Sequence, residues 1–218
     1  MVDPYQFGYP LECTKCKNLN QGWKGLGLSE KAERVKPYYR GKSGLKILLI
    51  GQDPTIVKKP ERVKEVLMLD DANSQLSRWL KNIFGEKFDE LDIYATNLVK
   101  CFFSLPPSQM PGGGYKFLQP FYDECKGYLV TEITKFCPAF VMTLGQTAHR
   151  LFIKSLDNPS SVPEFMKDAF TGNFVKVKLN SFEFDYTPCL HIKTFRVAET
   201  YKDSVTAFKK NLLGYLDS

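Results

Sequence analysis

Residues 45–50 form a mostly apolar run, Leu-Lys-Ile-Leu-Leu-Ile, that ends in Gly51-Gln52-Asp53-Pro54. A continuous apolar run closed by a turn signal reads as a parallel strand buried on both faces. Gly51 and Pro54 stop that strand and force a sharp loop. In open α/β sheets ligands sit beyond the carboxyl ends of the strands. Asp53 therefore stands where chemistry takes place, although by itself it reads equally well as a loop residue capping the next element.

The rest of the chain repeats the pattern. Residues 1–44 are irregular and polar, with a short helix predicted from Lys31 to Arg34 and ended by Pro37. Loop and short helix fill 56–72. After Asp71-Ala72-Asn73-Ser74, the residues Leu76, Trp79, Leu80 and Ile83 share one helical face, and Gly85 ends the run. A second strand spans 92–101 and closes on polar residues. A Pro/Gly-rich loop covers 102–116, and a long helix follows over about 117–136 with Phe117, Phe121, Cys125, Tyr128, Leu129 and Ile133 near period 3.6. Pro138 to Leu144 is a third strand, turned by Gly145 into a helix over about 146–155. Residues 174–179 alternate, Asn180-Ser181 turns, and Phe182 to Leu190 returns, which is a hairpin signal. A last helix, about 198–216, faces Tyr201, Val205, Phe208, Leu212 and Leu216 inward. Strand–helix alternation predicts an α/β fold, a three-layer α/β/α sandwich around a central, mainly parallel four-stranded sheet. At 218 residues one domain over 1–218 is the expectation.

Composition narrows the class of partner. The formal charge of +6 suits a polyanion such as nucleic acid, and 14% aromatic residues serve both core packing and base stacking. No stretch of apolar residues is long enough to span a membrane. Residues 1–10 lack a basic region followed by an apolar run, so no secretory signal is read there, and an intracellular, cytoplasmic protein is expected. Six cysteines in such a chain argue against a disulfide framework. Cys13 and Cys16 form a C-x2-C pair, and Cys101 and Cys125 each sit beside a lysine. Cys137 and Cys189 border apolar, strand-like segments. The natural partition is four thiolate ligands and two buried bystanders, with the segment at about 10–44 held by a metal centre rather than by its own core.

Three separated motifs then line up: Gly51-Gln52-Asp53-Pro54, Thr96-Asn97-Leu98-Val99-Lys100-Cys101, and Cys189-Leu190-His191-Ile192-Lys193. Their order over roughly 10–216 resembles the uracil-DNA glycosylase superfamily. The first motif is similar to that of the family 1 enzymes. The second resembles the iron–sulfur branch, families 4 and 5, as do Cys13-Thr14-Lys15-Cys16 and the segment from Val141 to Ala148. The resemblance implies a [4Fe–4S] cluster held by Cys13, Cys16, Cys101 and Cys125, with a structural role. Zinc is the rival, because four thiolates suit it equally.

The implied activity is hydrolysis of the N-glycosidic bond of uracil, or another deaminated base, flipped out of DNA for base-excision repair. Asp53 is implied to orient or deprotonate the attacking water. His191 is implied to donate to the base oxygen where negative charge develops. Gln52 and Asn97 are implied to bind the base, Asn97 through an amide that offers both donor and acceptor. DNA contacts are implied at Gly145 and Gln146, at a helix N-terminus, and at Lys193, Thr194 and Arg196, with Phe195 as a wedge. The alternatives are a loop cap for Asp53, a strand-end turn for Asn97 and a buried, hydrogen-bonded ring for His191. The other histidine, His149, reads as structural.

The chain departs from the family at three points. Thr55 stands where family 1 has a Tyr that excludes the thymine methyl. Residues 66–71 carry no aromatic for stacking, so Leu67 or Met68 must serve as the platform. The last motif is His191-Ile192 rather than His-Pro. A second reading is therefore a nucleic-acid-binding member of the same fold with altered catalysis, and a third is a zinc-stabilised binding module. A monomer acting on DNA is the expected assembly.

Overall fold

The computed structural model describes residues 3–16, 19, 35–42, 44–54, 63–103, 105–191 and 201–216. The strands are β1 (Tyr38–Arg40), β2 (Lys46–Gly51), β3 (Asp92–Asn97), β4 (Phe140–Leu144), β5 (Val175–Leu179) and β6 (Phe182–Cys189). They form one sheet in the order β1-β3-β2-β4-β6-β5. β3, β2, β4 and β6 are parallel, and β1 and β5 pair antiparallel at the two edges. The parallel centre matches the expectation, but the sheet has six strands rather than four. β5 is the first arm of the hairpin at 174–190. β1 falls in the stretch read as irregular, because three half-buried residues after a proline carry no periodic signal.

The helices are α1 (Gln75–Phe84), α2 (Gly113–Phe136), α3 (Gln146–Ile153), the single turn α4 (Met166–Ala169) and α5 (Lys202–Leu216). Successive strand residues face opposite sides of a sheet. On one side, Leu48, Ile50, Tyr94, Val141, Phe184 and Tyr186 pack with Phe117, Phe121, Leu129 and Ile133 of α2 and Leu151 and Phe152 of α3. On the other, Ile47, Leu49, Ile93, Ala95, Phe140 and Met142 pack with Trp79, Leu80 and Ile83 of α1 and Phe208 and Leu212 of α5. Each such side chain, fully withdrawn from water, contributes about 1.5–3 kcal/mol. The result is the expected three-layer sandwich. Among the described residues no helix is long and apolar enough to cross a membrane.

Local signals explain most boundaries. Ser74 caps α1 by accepting from the Ser77 N–H at 3.1 Å, and Gly85 ends it. α2 begins four residues earlier than periodicity predicts, because Gly112 takes φ +85 and the Gly113 N–H donates to the Met110 carbonyl at 2.9 Å. The β5–β6 turn places Asn180 at φ +50 and Ser181 at φ +65, the backbone of a two-residue hairpin turn. Asp157 fixes it by accepting from both backbone N–H groups at 2.8 and 2.9 Å. The second strand stops at Asn97 rather than 101. Leu98 and Val99 leave the ladder to donate to the carbonyls of Gly51 and Gln52 at 2.9 and 3.1 Å. The helix predicted at Lys31 to Arg34 lies outside the described residues.

His149 is structural, as expected. It is fully buried on α3. Its Nε2 faces the Pro163 carbonyl at 2.8 Å and its Nδ1 faces the Tyr186 hydroxyl at 2.7 Å, which in turn meets Thr143 at 2.7 Å. A carbonyl only accepts, so Nε2 carries the proton and Nδ1 accepts from Tyr186. The neutral ring satisfies every group, and burial holds its pKa below the usual 6.5. The unfolded chain then takes up a proton near pH 6.5 that the folded chain refuses, so stability falls as pH drops below that value. Urea midpoints of the wild type are expected to fall more steeply from pH 7 to pH 5 than those of His149→Gln. Equal slopes would refute this assignment.

Candidate active site

The register of the parallel strands brings their carboxyl ends level. Gly51 of β2 pairs with Asn97 of β3, and Leu144 of β4 with Cys189 of β6. Gln52, Asp53, Gly145 and His191 follow directly on those strand ends. A cavity of about 980 Å³ opens there, and its wall includes Gln52, Asp53, Leu67, Met68, Gly145, Gln146 and His191. Seven residues singled out in the sequence thus meet in one cavity.

The loop after β2 is held by the two backbone bonds from Leu98 and Val99 described above. The Gln52 amide donates to Asp53 Oδ1 at 2.5 Å, which fixes one carboxylate oxygen. Gly51 is required by its neighbours: a Cβ there would lie 2.3 Å from Asn97 Oδ1 and 2.8 Å from Leu67 Cδ2. Asn97 itself is 1% exposed and stands one layer behind the cavity wall. Its Oδ1 has no hydrogen-bond partner among the described residues. A buried acceptor without a donor costs about 1–3 kcal/mol. It packs directly against Gly51, in the space a side chain there would occupy.

The opposite wall rests on strained backbone. Leu67 (φ +62, ψ 8) and Met68 (φ +52) occupy the left-handed region that a branched or long side chain rarely adopts. The strain is held in place from outside. The Val66 N–H donates to the Lys36 carbonyl at 2.7 Å, and the Lys36 ammonium pairs with Glu65 at 2.9 Å. Trp79 adds an aromatic face to the cavity, and Asp71, Asn73 and Ser74 line it too; none of the four is among the site residues expected from the sequence. Helical periodicity gives no hint that one edge of the α1 stripe borders a cavity.

α3 points its N-terminus at the cavity. Gly145 adopts φ +95, ψ 161, a conformation open essentially to glycine alone, and its Cβ position lies 3.4 Å from His191 Cβ. The first N–H groups of α3 have no partner within the helix, and the positive end of its dipole faces the same space. The Gln146 side chain is committed elsewhere: it donates to the Glu164 carbonyl at 3.1 Å and accepts from the Met166 N–H at 2.7 Å. Lys193, Thr194, Phe195 and Arg196 lie outside the described residues, as do Thr55 and Ile192.

The cysteines divide differently from expectation in one respect. Cys16, Cys101, Cys125 and Cys189 are buried and Cys13 is half-buried, but Cys137 is exposed. It caps the end of α2 at φ +52, where its thiol donates to the Thr134 carbonyl at 2.9 Å, so it is not a buried bystander. Cys13, Cys16, Cys101 and Cys125 are electrostatic neighbours. The hydrogen bond to Cys125, then burial, then the other three sulfurs push the Cys16 thiol up. The same bond, with a backbone hydrogen bond and the ammonium of Lys100, pulls the Cys125 thiol below its usual range. Among the described residues no set of three or more His, Cys, Asp or Glu side chains is gathered tightly enough to hold a metal ion as it stands.

No curated protein matches the chain. A family model does, over residues 38–210, from the first residue of β1 into α5 and across every strand end that builds the cavity. The match leaves out Cys13 and Cys16. With most of its length covered by the model for the uracil DNA glycosylase superfamily, the chain belongs to that superfamily.

Proposed function

We propose that the protein is a DNA glycosylase that hydrolyses the N-glycosidic bond of uracil, or another deaminated base, in base-excision repair, acting as a cytoplasmic monomer. The observation that carries this reading is the meeting of Gln52, Asp53, Gly145 and His191 in one cavity at the carboxyl edge of the parallel sheet. A base flipped into that cavity would leave with its electron pair while water adds to the sugar C1′. Asp53 polarises the water, and its charge favours the cationic sugar. His191 donates a hydrogen bond to the base oxygen that gains negative charge. Asn97 Oδ1 accepts from a ring N–H of the base, which satisfies its orphaned acceptor. Leu67, Met68 and Trp79 flank the ring, and the N-terminus of α3 meets a phosphate.

Cys13, Cys16, Cys101 and Cys125 would hold a [4Fe–4S] cluster: they are four soft thiol donors from three separate segments whose charges influence one another, with the Lys100 ammonium acting on Cys125. Such a group would supply cross-linking of the N-terminal segment to the loop after β3 and to α2, and no step of the reaction runs through it. Anaerobically purified protein is expected to be brown and to contain iron and acid-labile sulfide in equal amounts. Colourless protein with about one zinc per chain would contradict this assignment and favour the zinc site.

The test of the activity is base release from labelled oligonucleotides carrying a single uracil, hypoxanthine or xanthine. A second reading, a DNA-binding member with altered catalysis, draws on the aliphatic pair Leu67 and Met68 at the cavity wall where an aromatic platform is expected. Tight binding of these oligonucleotides without release of any base would favour it.

A further inference from the structure

We propose that the ridge formed by Tyr115, Arg150 and Phe165 is a second nucleic-acid contact, which stacks the bases of the strand beside the flipped nucleotide. The inference rests on the reading of DNA as the substrate. Phe165 is 50% exposed. The Arg150 guanidinium lies 3.9 Å from the Tyr115 ring centroid and 5.4 Å from that of Phe165, so the two rings flank one cation. Glu164 accepts from Arg150 Nε at 2.9 Å and fixes the guanidinium plane. The Lys154 ammonium also lies over Tyr115, 4.9 Å from the ring centroid.

Two observations join this ridge to the cavity. The Gln146 side chain, on the cavity wall, bonds the backbone of Glu164 and of Met166 and so brackets Phe165. Tyr115 follows Gly114, whose Cβ position lies 3.5 Å from Thr147 Oγ1 and 4.0 Å from Gln52 Oε1, both on the same wall. The ridge therefore begins at the cavity mouth. Its chemistry fits a single strand rather than a protein partner. Every base offers a π-face to an exposed aromatic, and exposed Lys154 stands beside Tyr115 to meet a phosphate. Arg150 is already paired with Glu164, so stacking rather than net charge supplies the affinity here.

The test compares two fluorescein-labelled single-stranded uracil oligonucleotides, one long and one trimmed to the uracil and one nucleotide on each side. Wild type is expected to favour the long strand, and Phe165→Ala to lower that preference by about 5- to 100-fold, the worth of one stacked base. Phe165→Trp should restore the preference and Phe165→Leu should not, which separates stacking from simple apolar contact. An unchanged preference in Phe165→Ala overturns the proposal while leaving the glycosylase reading intact. Failure of the wild type to bind either strand overturns both. Loss of a self-associated form in Phe165→Ala, with DNA affinity unchanged, also overturns it and assigns the ridge to a second copy of the chain.

Discussion

Glu132→Gln is expected to destabilise the fold by about 3–5 kcal/mol, the cost of leaving a buried charge without its partner. Lys100 and Glu132 are 1% and 0% exposed and form an ion pair between the end of β3 and α2. Glu132 also accepts from the Tyr94 hydroxyl at 2.6 Å and from Thr96 at 2.8 Å, while the Lys100 ammonium donates to Thr96 at 2.7 Å. Burial, and then the Glu132 carboxylate, keep the Tyr94 hydroxyl firmly protonated. Every oxygen of the carboxylate is thus used, and an amide in its place turns a donor toward a cation. The double variant Lys100→Met with Glu132→Leu removes both charges together and is expected to recover most of the loss. Urea denaturation of the three proteins at equal metal content checks this. A loss under about 1 kcal/mol in Glu132→Gln would mean that water reaches the pair.

This network sits between the two proposed functional features of the chain. Lys100 and Cys101 follow Asn97 by three and four residues, and the Tyr9 hydroxyl reaches the carbonyls of Val35 and Lys100 at 2.8 and 3.3 Å. The ion pair therefore anchors the loop that carries one cysteine of the proposed cluster and one side of the proposed base site. A destabilised Glu132→Gln protein should lose both together.

Asp53→Asn is expected to lower the single-turnover rate of base release by about 10²- to 10⁴-fold, the usual worth of a positioned general base. Asparagine keeps an oxygen for the Gln52 amide, so the loop geometry survives and affinity for the uracil strand should stay within a few-fold of wild type. His191→Ala removes the donor to the leaving base and should fall in the same range. A rate within tenfold of wild type in Asp53→Asn would show that the water is positioned by another group.

Much of this architecture was legible because its signals are local. The run at 45–50 is buried on both faces and is followed by Gly51 and Pro54, so β2 and its loop could be read directly. The β5–β6 hairpin was marked by alternation around Asn180-Ser181, two residues that tolerate the left-handed backbone of the turn. β1 was not legible, since its three residues are held by tertiary contacts: Arg40 donates to the Phe88 carbonyl and stacks 4.3 Å over the Phe88 ring. The site was legible as residues but not as depth. Periodicity cannot say that Trp79 borders the cavity or that Asn97 stands behind Gly51, because both follow from how α1 and β3 pack. Nor did the sequence distinguish Cys137 from Cys189. Both border strands, but Cys137 occupies a left-handed helix end that faces solvent, and Cys189 sits inside the parallel sheet.

The most direct test of the central claim is single-turnover detection of free uracil, by mass spectrometry, after wild-type protein in excess is mixed with a single-uracil oligonucleotide. The account predicts free base and an abasic strand in equal amounts from the wild type, and neither at a comparable rate from Asp53→Asn. An intact strand from folded wild-type protein, with hypoxanthine and xanthine strands equally untouched, would contradict it.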